Sequence, residues 1–388
     1  MANIQEADHR IGQVKQEVLD AFSKLGLPRR NQIIGPPQGD KAGERRIQRE
    51  LAGKEWLSLD AKFLGERWPA FCYLSAEGYR YYLPALLMKC LDDFSEQSDL
   101  VHSMVFALAP SYWHLYYRGQ DEDFIYQTSL FNAEQYGAVC SFLGLAFDLL
   151  PWFQYHSAQA LKWGWNKQPH PALDKCREYF ARLHHYQYPP SSDPQVRSLI
   201  EQIRAAFKST PYPGDNQLCG SDQGDEPAQC ALALRGLNWQ AIHPQLLAYE
   251  YTSLSFLTNE GFRYFLPAYL VADLMEDELK TNTNMDPVFH LTNGLAPDST
   301  NQRQDRTNQR NEELIATGLL SDEVVAMMKQ DEQRDKFDWY QIAIDKFSHF
   351  NLEERKAIIA YLKYRAADED SADEINEALD KYWLKSIA

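Results

Sequence analysis

Residues able to do chemistry are few in this chain, and the most orderly of them come in duplicate. Asn31-Gln32, Gly35 and Gln38-Gly39-Asp40 recur at the same spacing as Asn216-Gln217, Gly220 and Gln223-Gly224-Asp225. Connecting loops usually vary, so polar residues held twice invite a functional reading. The competing reading is conformational: Asn and Asp side chains close turns, and Gly supplies positive φ. Arg80 and Arg263 also recur, each three residues after a glutamate, Glu77 and Glu260. They could hold a polar ligand, or simply pair along a helix for roughly 0.2–0.5 kcal/mol.

Stronger catalytic signatures are missing. The sequence has no nucleophile elbow, no phosphate loop, no HExxH and no spaced histidine ligands. Gly35 and Gly39 lack the lysine of a phosphate loop, and His184-His185 are adjacent, so a regular helix cannot turn both toward one ion. The six cysteines form no CxxC pair, and Cys219 and Cys230 stand apart. Neither a structural metal nor a cofactor is expected, and the thiols are expected to be reduced in a cytoplasmic protein.

Binding residues are easier to name. Trp113 and Tyr117 lie in one aromatic stretch of the first half, and Trp152, Trp163 and Trp165 in the next. Trp and Tyr serve as interface anchors because they bury much area for few lost rotors. Acidic runs occur at Asp121-Glu122-Asp123, Glu276-Asp277-Glu278 and Asp368-Glu369-Asp370, and the net charge is −16. That balance argues against nucleic acid and anionic membrane, which call for basic surface, and permits a basic protein partner or simply serves solubility. The expectation is a non-catalytic binder, for instance an acidic immunity-type inhibitor of a cationic protein. The alternative is an enzyme acting at the repeated loops, at Asn31, Gln32, Asp40, Asn216, Gln217 and Asp225, with Arg80 and Arg263. The same aromatic residues could instead pack one half against the other.

The elements that must position these residues follow from a long internal match. Leu74-Ser-Ala-Glu-Gly-Tyr-Arg-Tyr-Tyr-Leu-Pro-Ala85 recurs as Leu257-Thr-Asn-Glu-Gly-Phe-Arg-Tyr-Phe-Leu-Pro-Ala268. Ser75 and Thr258 fit helix N-caps, and Tyr79, Tyr82, Leu83, Leu86 and Leu87 follow at helical spacing. Pro84 and Pro267 predict a kink, or an end and a new start, because proline removes an amide donor. Other blocks recur in order. Val14, Val18 and Phe22 match Leu199, Ile203 and Phe207; Trp56 matches Trp239; Ser129-Leu-Phe-Asn-Ala-Glu134 matches Ser348-His-Phe-Asn-Leu-Glu353; Ala172-Leu-Asp-Lys175 is matched to Ala378-Leu-Asp-Lys381. The chain is therefore expected to be mainly α, a tandem duplication of a helical domain, each repeat centred on a buried, proline-kinked helix. The repeats are drawn at residues 1–190 and 191–388, with an aromatic insertion near 148–171 in the first. The second carries a polar insertion near 298–330, expected to be mobile, with a helix around Glu323 to Met328. No signal peptide is read at the N-terminus, and no run approaches the length of a membrane span.

Leu254-Ser-Phe-Leu-Thr-Asn-Glu-Gly-Phe-Arg-Tyr-Phe-Leu-Pro-Ala-Tyr-Leu270 resembles the motif of a small bacterial family of unknown function. The likeness extends upstream to Pro211-Tyr-Pro-Gly-Asp-Asn216 and to Trp239, and more weakly covers the first half. It implies no activity. Members carry a His-Cys-x-x-Cys-like segment where this chain has Gly220 to Cys230, so a family metal site is not expected here.

Overall fold

The computed structural model describes residues 2–36, 39–222, 224–281, 285–295, 310, 314–315, 325, 339–367 and 372–388. The expected mobile insertion near 298–330 and the helix around Glu323 to Met328 fall almost wholly outside the described residues, as do Gln38, Gln223 and the acidic run Asp368–Asp370. The chain divides into two compact units, Met1–Arg182 and Leu183–Ala388. The division comes earlier than residue 190 because the intervening segment bonds into the second unit. The His243 N–H donates to the Leu183 carbonyl at 2.8 Å and the Tyr186 N–H to the Ala241 carbonyl at 2.7 Å. All named elements among the described residues are helices, and the extended backbone amounts to two isolated bridges.

In the first unit, α1 (Ala2–Phe22), α2 (Lys41–Leu51), α3 (Ala61–Arg67), α4 (Ala76–Asp92), α5 (Asp99–Ala107), α6 (Tyr112–Arg118), α7 (Glu122–Thr128), α8 (Ala133–Leu149), α9 (Gln154–Trp163) and α10 (Pro171–His184) follow one another. The central α4 buries Tyr79, Tyr82, Leu83, Leu86 and Leu87, the stripe expected of it. Ser75 caps it by accepting the Gly78 N–H at 2.9 Å. Helix α1 packs on both α4 and α8 through Val14, Val18 and Phe22. Asn132 opens α8 with a capping box shared with Gln135. Helices α8 and α9 turn through 119° at their junction, where Pro151 cannot continue the first helix.

The second unit repeats this plan with α11 (Pro194–Phe207), α12 (Glu226–Leu234), α13 (Pro244–Tyr249), α14 (Ser253–Phe256), α15 (Asn259–Leu274), α16 (Glu276–Leu279), α17 (Pro287–Thr292), α18 (Trp339–Ser348), α19 (Leu352–Arg365) and α20 (Ala372–Ala378), then a π-helical turn at Leu379–Trp383. Helix α15 takes the part of α4, capped by Thr258, and α11 packs on α15 and α19. Asn351 and Glu354 repeat the capping box at the start of α19. Both central helices run unbroken through Pro84 and Pro267, so neither proline ends a helix and starts another.

One sequence pairing needs correction. Ala378-Leu-Asp-Lys381 does not answer Ala172–Lys175; it answers Ala160-Leu161-Lys162, ahead of Trp165. The Trp165 indole N–H donates to the Leu108 carbonyl at 2.8 Å, and the Trp383 indole N–H to the Leu291 carbonyl at 3.0 Å. Trp165 lies 5.7 Å from the Phe131 ring, and Trp383 lies 6.3 Å from Phe350, the equivalent phenylalanine. The aromatic segment near 148–171 is therefore partly shared framework rather than an insertion peculiar to one half. No single helix among the described residues is long and apolar enough to cross a membrane.

Candidate functional site

The repeated polar loops close onto the segment ahead of each central helix through backbone bonds. Ile34 bridges Leu74, and Cys219 bridges Leu257, in the antiparallel sense. The Gly35 N–H donates to Tyr73 and the Ser75 N–H to Ile33, both at 2.9 Å. The Gly220 N–H donates to Phe256 at 2.7 Å and the Thr258 N–H to Leu218 at 2.9 Å. The cap hydroxyls complete the clasp, Ser75 donating to the Gln32 carbonyl and Thr258 to that of Gln217. Space explains the glycines: a Cβ on Gly78 would meet the Ile33 carbonyl at 2.3 Å, and one on Gly220 the Leu257 carbonyl at 2.8 Å. Gly39 and Gly224 adopt φ of 95° and 80°, the left-handed region.

The side chains singled out in those loops serve the same closures or face solvent. Gln32 accepts the Arg29 N–H at 3.1 Å, and the Asn31, Asn216 and Gln217 side chains are exposed. Asp40 caps α2 by accepting from Ala42 and Gly43, and the Tyr73 hydroxyl donates to it at 3.0 Å. These donors hold the Asp40 carboxyl below the usual range. Asp225 precedes α12 as its N-cap residue.

Arg80 and Arg263 reach away from the glutamates of their own helices. Arg80 Nε donates to Gln135 Oε1 at 2.7 Å. Arg263 donates through Nε and Nη2 to Glu354 at 2.9 and 3.0 Å. The i,i+3 pairing expected with Glu77 and Glu260 is thus replaced by a bond to the helix that packs alongside. These arginines act in docking, with their acceptors occupied.

The five aromatic candidates do not form one surface. Trp165 is fully buried among Phe124, Phe131 and Tyr136, which removes it from any binding face. It fills the core because its indole N–H has a carbonyl partner there. Trp163 is partly buried, with Lys162 Nζ 4.6 Å above its ring and equally near Phe180. Burial lowers the pKa of that lysine. Trp113 and Tyr117 are neighbours, centroids 5.1 Å apart, with the Arg118 guanidinium 5.3 Å from the Trp113 ring. Tyr117 is 46% exposed. Trp152 is the most exposed of the five, at 72%. It sits in the tight turn Pro151–Phe153, where buried Phe153 packs beside His102 at 5.4 Å and the Trp152 N–H donates to Glu96 at 2.9 Å. Those anchors fix the turn and leave the indole outside.

One cluster lies where sequence spacing drew no attention. His114, Asp121 and Asp123 place ligand atoms within 4.8 Å of one another. Asp121 already accepts from the backbone of Ser111, Asp123 and Phe124, and stands 3.1 Å from His114 Nδ1. It is chiefly the cap of α7. These three residues could hold a divalent cation, and His-x6-Asp-x-Asp is the sequence signal that points to them. Cys219 and Cys230 make separate contacts: the Cys219 thiol donates to the Ser221 carbonyl at 2.9 Å, and Cys230 lies 3.8 Å from the Thr252 hydroxyl. Cys140 and Cys176 donate to carbonyls, and burial pushes both thiols up to about 12, which disfavours thiolate chemistry.

No curated protein and no solved structure matches the chain. A family model does match, twice: residues 14–178 and residues 195–339 each fit the "Family of unknown function (DUF6714)". The two matches follow the two structural repeats and together cover well over half the chain, so the protein belongs to this family and carries its domain in tandem.

Proposed function

We propose that the protein works by binding a basic protein partner through aromatic side chains exposed on its first repeat, without catalysing a reaction. The observation that carries this reading is Trp152, 72% exposed on a turn whose other contacts are satisfied. An indole left in water costs solvation and does nothing for the fold, while as an anchor it contributes strongly to an interface. Tyr117, with Trp113 behind it, supplies a second exposed ring. The net charge of −16 favours a basic partner and speeds its encounter at low salt. The six cysteines are free, as suits a bacterial cytoplasm. An immunity-type inhibitor of a cationic protein is the form of binder that combines these features.

Affinity capture with the full chain and with its Trp152→Ala variant, at low and high salt, tests the reading. Basic proteins should be retained at low salt and released as screening increases. Trp152→Ala should weaken the retained complex by about 2 kcal/mol, the size of an interface anchor. Equal capture by the variant, or retention of proteins with no basic bias, would reject the proposal.

A further inference from the structure

The second repeat has a cleft of about 320 Å³ between α17 and α18, a volume in the range of small-ligand sites. Its walls are apolar: Phe289, Trp339, Ile342 and Phe347. Four polar side chains open into it, Ser255, His290, Asn293 and Lys346. Among the described residues that line it, none is acidic. The Lys346 ammonium lies 4.6 Å from the Phe262 ring centroid, and no carboxylate among the described residues pairs with it.

The first repeat supplies an internal comparison. Cys72 precedes the cap Ser75 as Ser255 precedes Thr258, and Gln127 precedes Ser129 as Lys346 precedes Ser348. There the Gln127 amide donates to the Cys72 carbonyl at 3.2 Å. The second repeat therefore carries a cation where the first has a closing amide.

We propose that this cleft binds a small apolar monocarboxylate, with the carboxylate on Lys346 and the hydrocarbon body against Phe289, Trp339 and Phe347. An ammonium that no described carboxylate pairs, beside apolar walls, selects an anion with a greasy body, because a charge-assisted hydrogen bond is the strong kind and the apolar body covers the rings. His290 and Asn293 add neutral donors for the second oxygen. Burial, with Lys346 nearby, lowers the His290 pKa to about 4, so its ring stays neutral and donates without adding charge. Burial likewise lowers the Lys346 pKa, and a bound carboxylate would relieve that cost.

Calorimetric titration of the full chain with 4-phenylbutyrate and octanoate, beside 4-phenylbutanol as the uncharged control, tests this. Both acids should bind saturably with Kd below about 1 mM, and the alcohol more weakly. Lys346→Met should weaken acid binding by at least about tenfold, the loss of one charged hydrogen bond, while Lys346→Arg retains most of it. Ser255→Trp, at an exposed position, fills the cleft and should abolish binding in a chain that circular dichroism shows to be folded; it decides the matter if Lys346→Met fails to fold. Absence of binding by either acid, equal binding of acid and alcohol, or binding untouched by Ser255→Trp would overturn the proposal. Binding only of a peptide ending in phenylalanine would overturn it too, identifying a protein C-terminus as the ligand.

Discussion

Arg263 grips Glu354 with two donors, at 2.9 and 3.0 Å, and the Glu354 side chain is fully buried. Thr210 also donates to that carboxylate at 2.6 Å. The first repeat holds the same place with an uncharged acceptor, Gln135, on Arg80. Removing the arginine should therefore have unequal consequences. Arg263→Ala leaves a buried carboxylate without its cation and should cost about 3–5 kcal/mol. Arg80→Ala leaves a neutral amide and should cost about 1–3 kcal/mol. Chemical denaturation of the two variants measures the difference, and equal losses would contradict it.

Glycines in this fold differ by what a methyl group would touch. Gly78→Ala places a Cβ 2.3 Å from the Ile33 carbonyl and should destabilise by about 1–3 kcal/mol as the clasp is pushed apart. Gly12, within α1, has nothing within 4 Å of its ideal Cβ. Gly12→Ala should raise stability by about 1 kcal/mol through helix propensity. Opposite shifts in melting temperature are the expected pair of results.

The tryptophans divide in the same way. Trp165→Ala opens the core and abandons the Leu108 carbonyl, at a cost of about 3–5 kcal/mol. Trp383→Ala should match it, since its ring is equally buried and similarly bonded. Trp152→Ala should stay within about 0.5 kcal/mol of the parent, as surface changes do. Thermal melts of all three separate framework rings from the surface ring.

Acid should weaken the first repeat through His156. Burial, with His102 nearby, lowers its pKa to about 4, and its Nδ1 has no hydrogen-bond partner. Unfolded, the ring titrates near 6.5. Between those values the unfolded chain binds more protons, so stability falls as pH drops from about 6.5 toward about 4. His156→Phe removes this term and keeps a ring against Phe106, now 4.2 Å from the imidazole. Its melting temperature should fall less than that of the parent over the same pH interval. Parallel curves would show that His156 is not the group responsible.

Much of the architecture was legible in the sequence because its signals are local. N-caps at Ser75, Thr258, Asn132 and Asn351, the buried stripe of the central helix and the repeated Trp56 and Trp239 depend on short spacings that a single helix enforces. What escaped depends on contacts between distant segments. The arginines seemed to belong to glutamates one turn away, whereas their acceptors lie on another helix. Trp165 and Trp383 were not matched because their shared role is a carbonyl far back in the chain. Sequence shows that Gly35 and Gly220 recur in the polar loops, but not the backbone that presses on them. The cleft beside Lys346 left no periodic trace, since its lining comes from three separated helices and the turn after one of them.

The capping boxes at Gln135 and Glu354 carry one more consequence. Each of these residues closes the first turn of its own helix and also receives an arginine from the central helix. A first turn normally frays ahead of the rest, and its amides exchange with solvent by small local openings. Here the turn cannot unwind without also releasing the central helix. Amide protons around Gln135 and Glu354 should therefore exchange at the pace of the core, and the starts of α8 and α19 should be among the last parts of each repeat to take up deuterium.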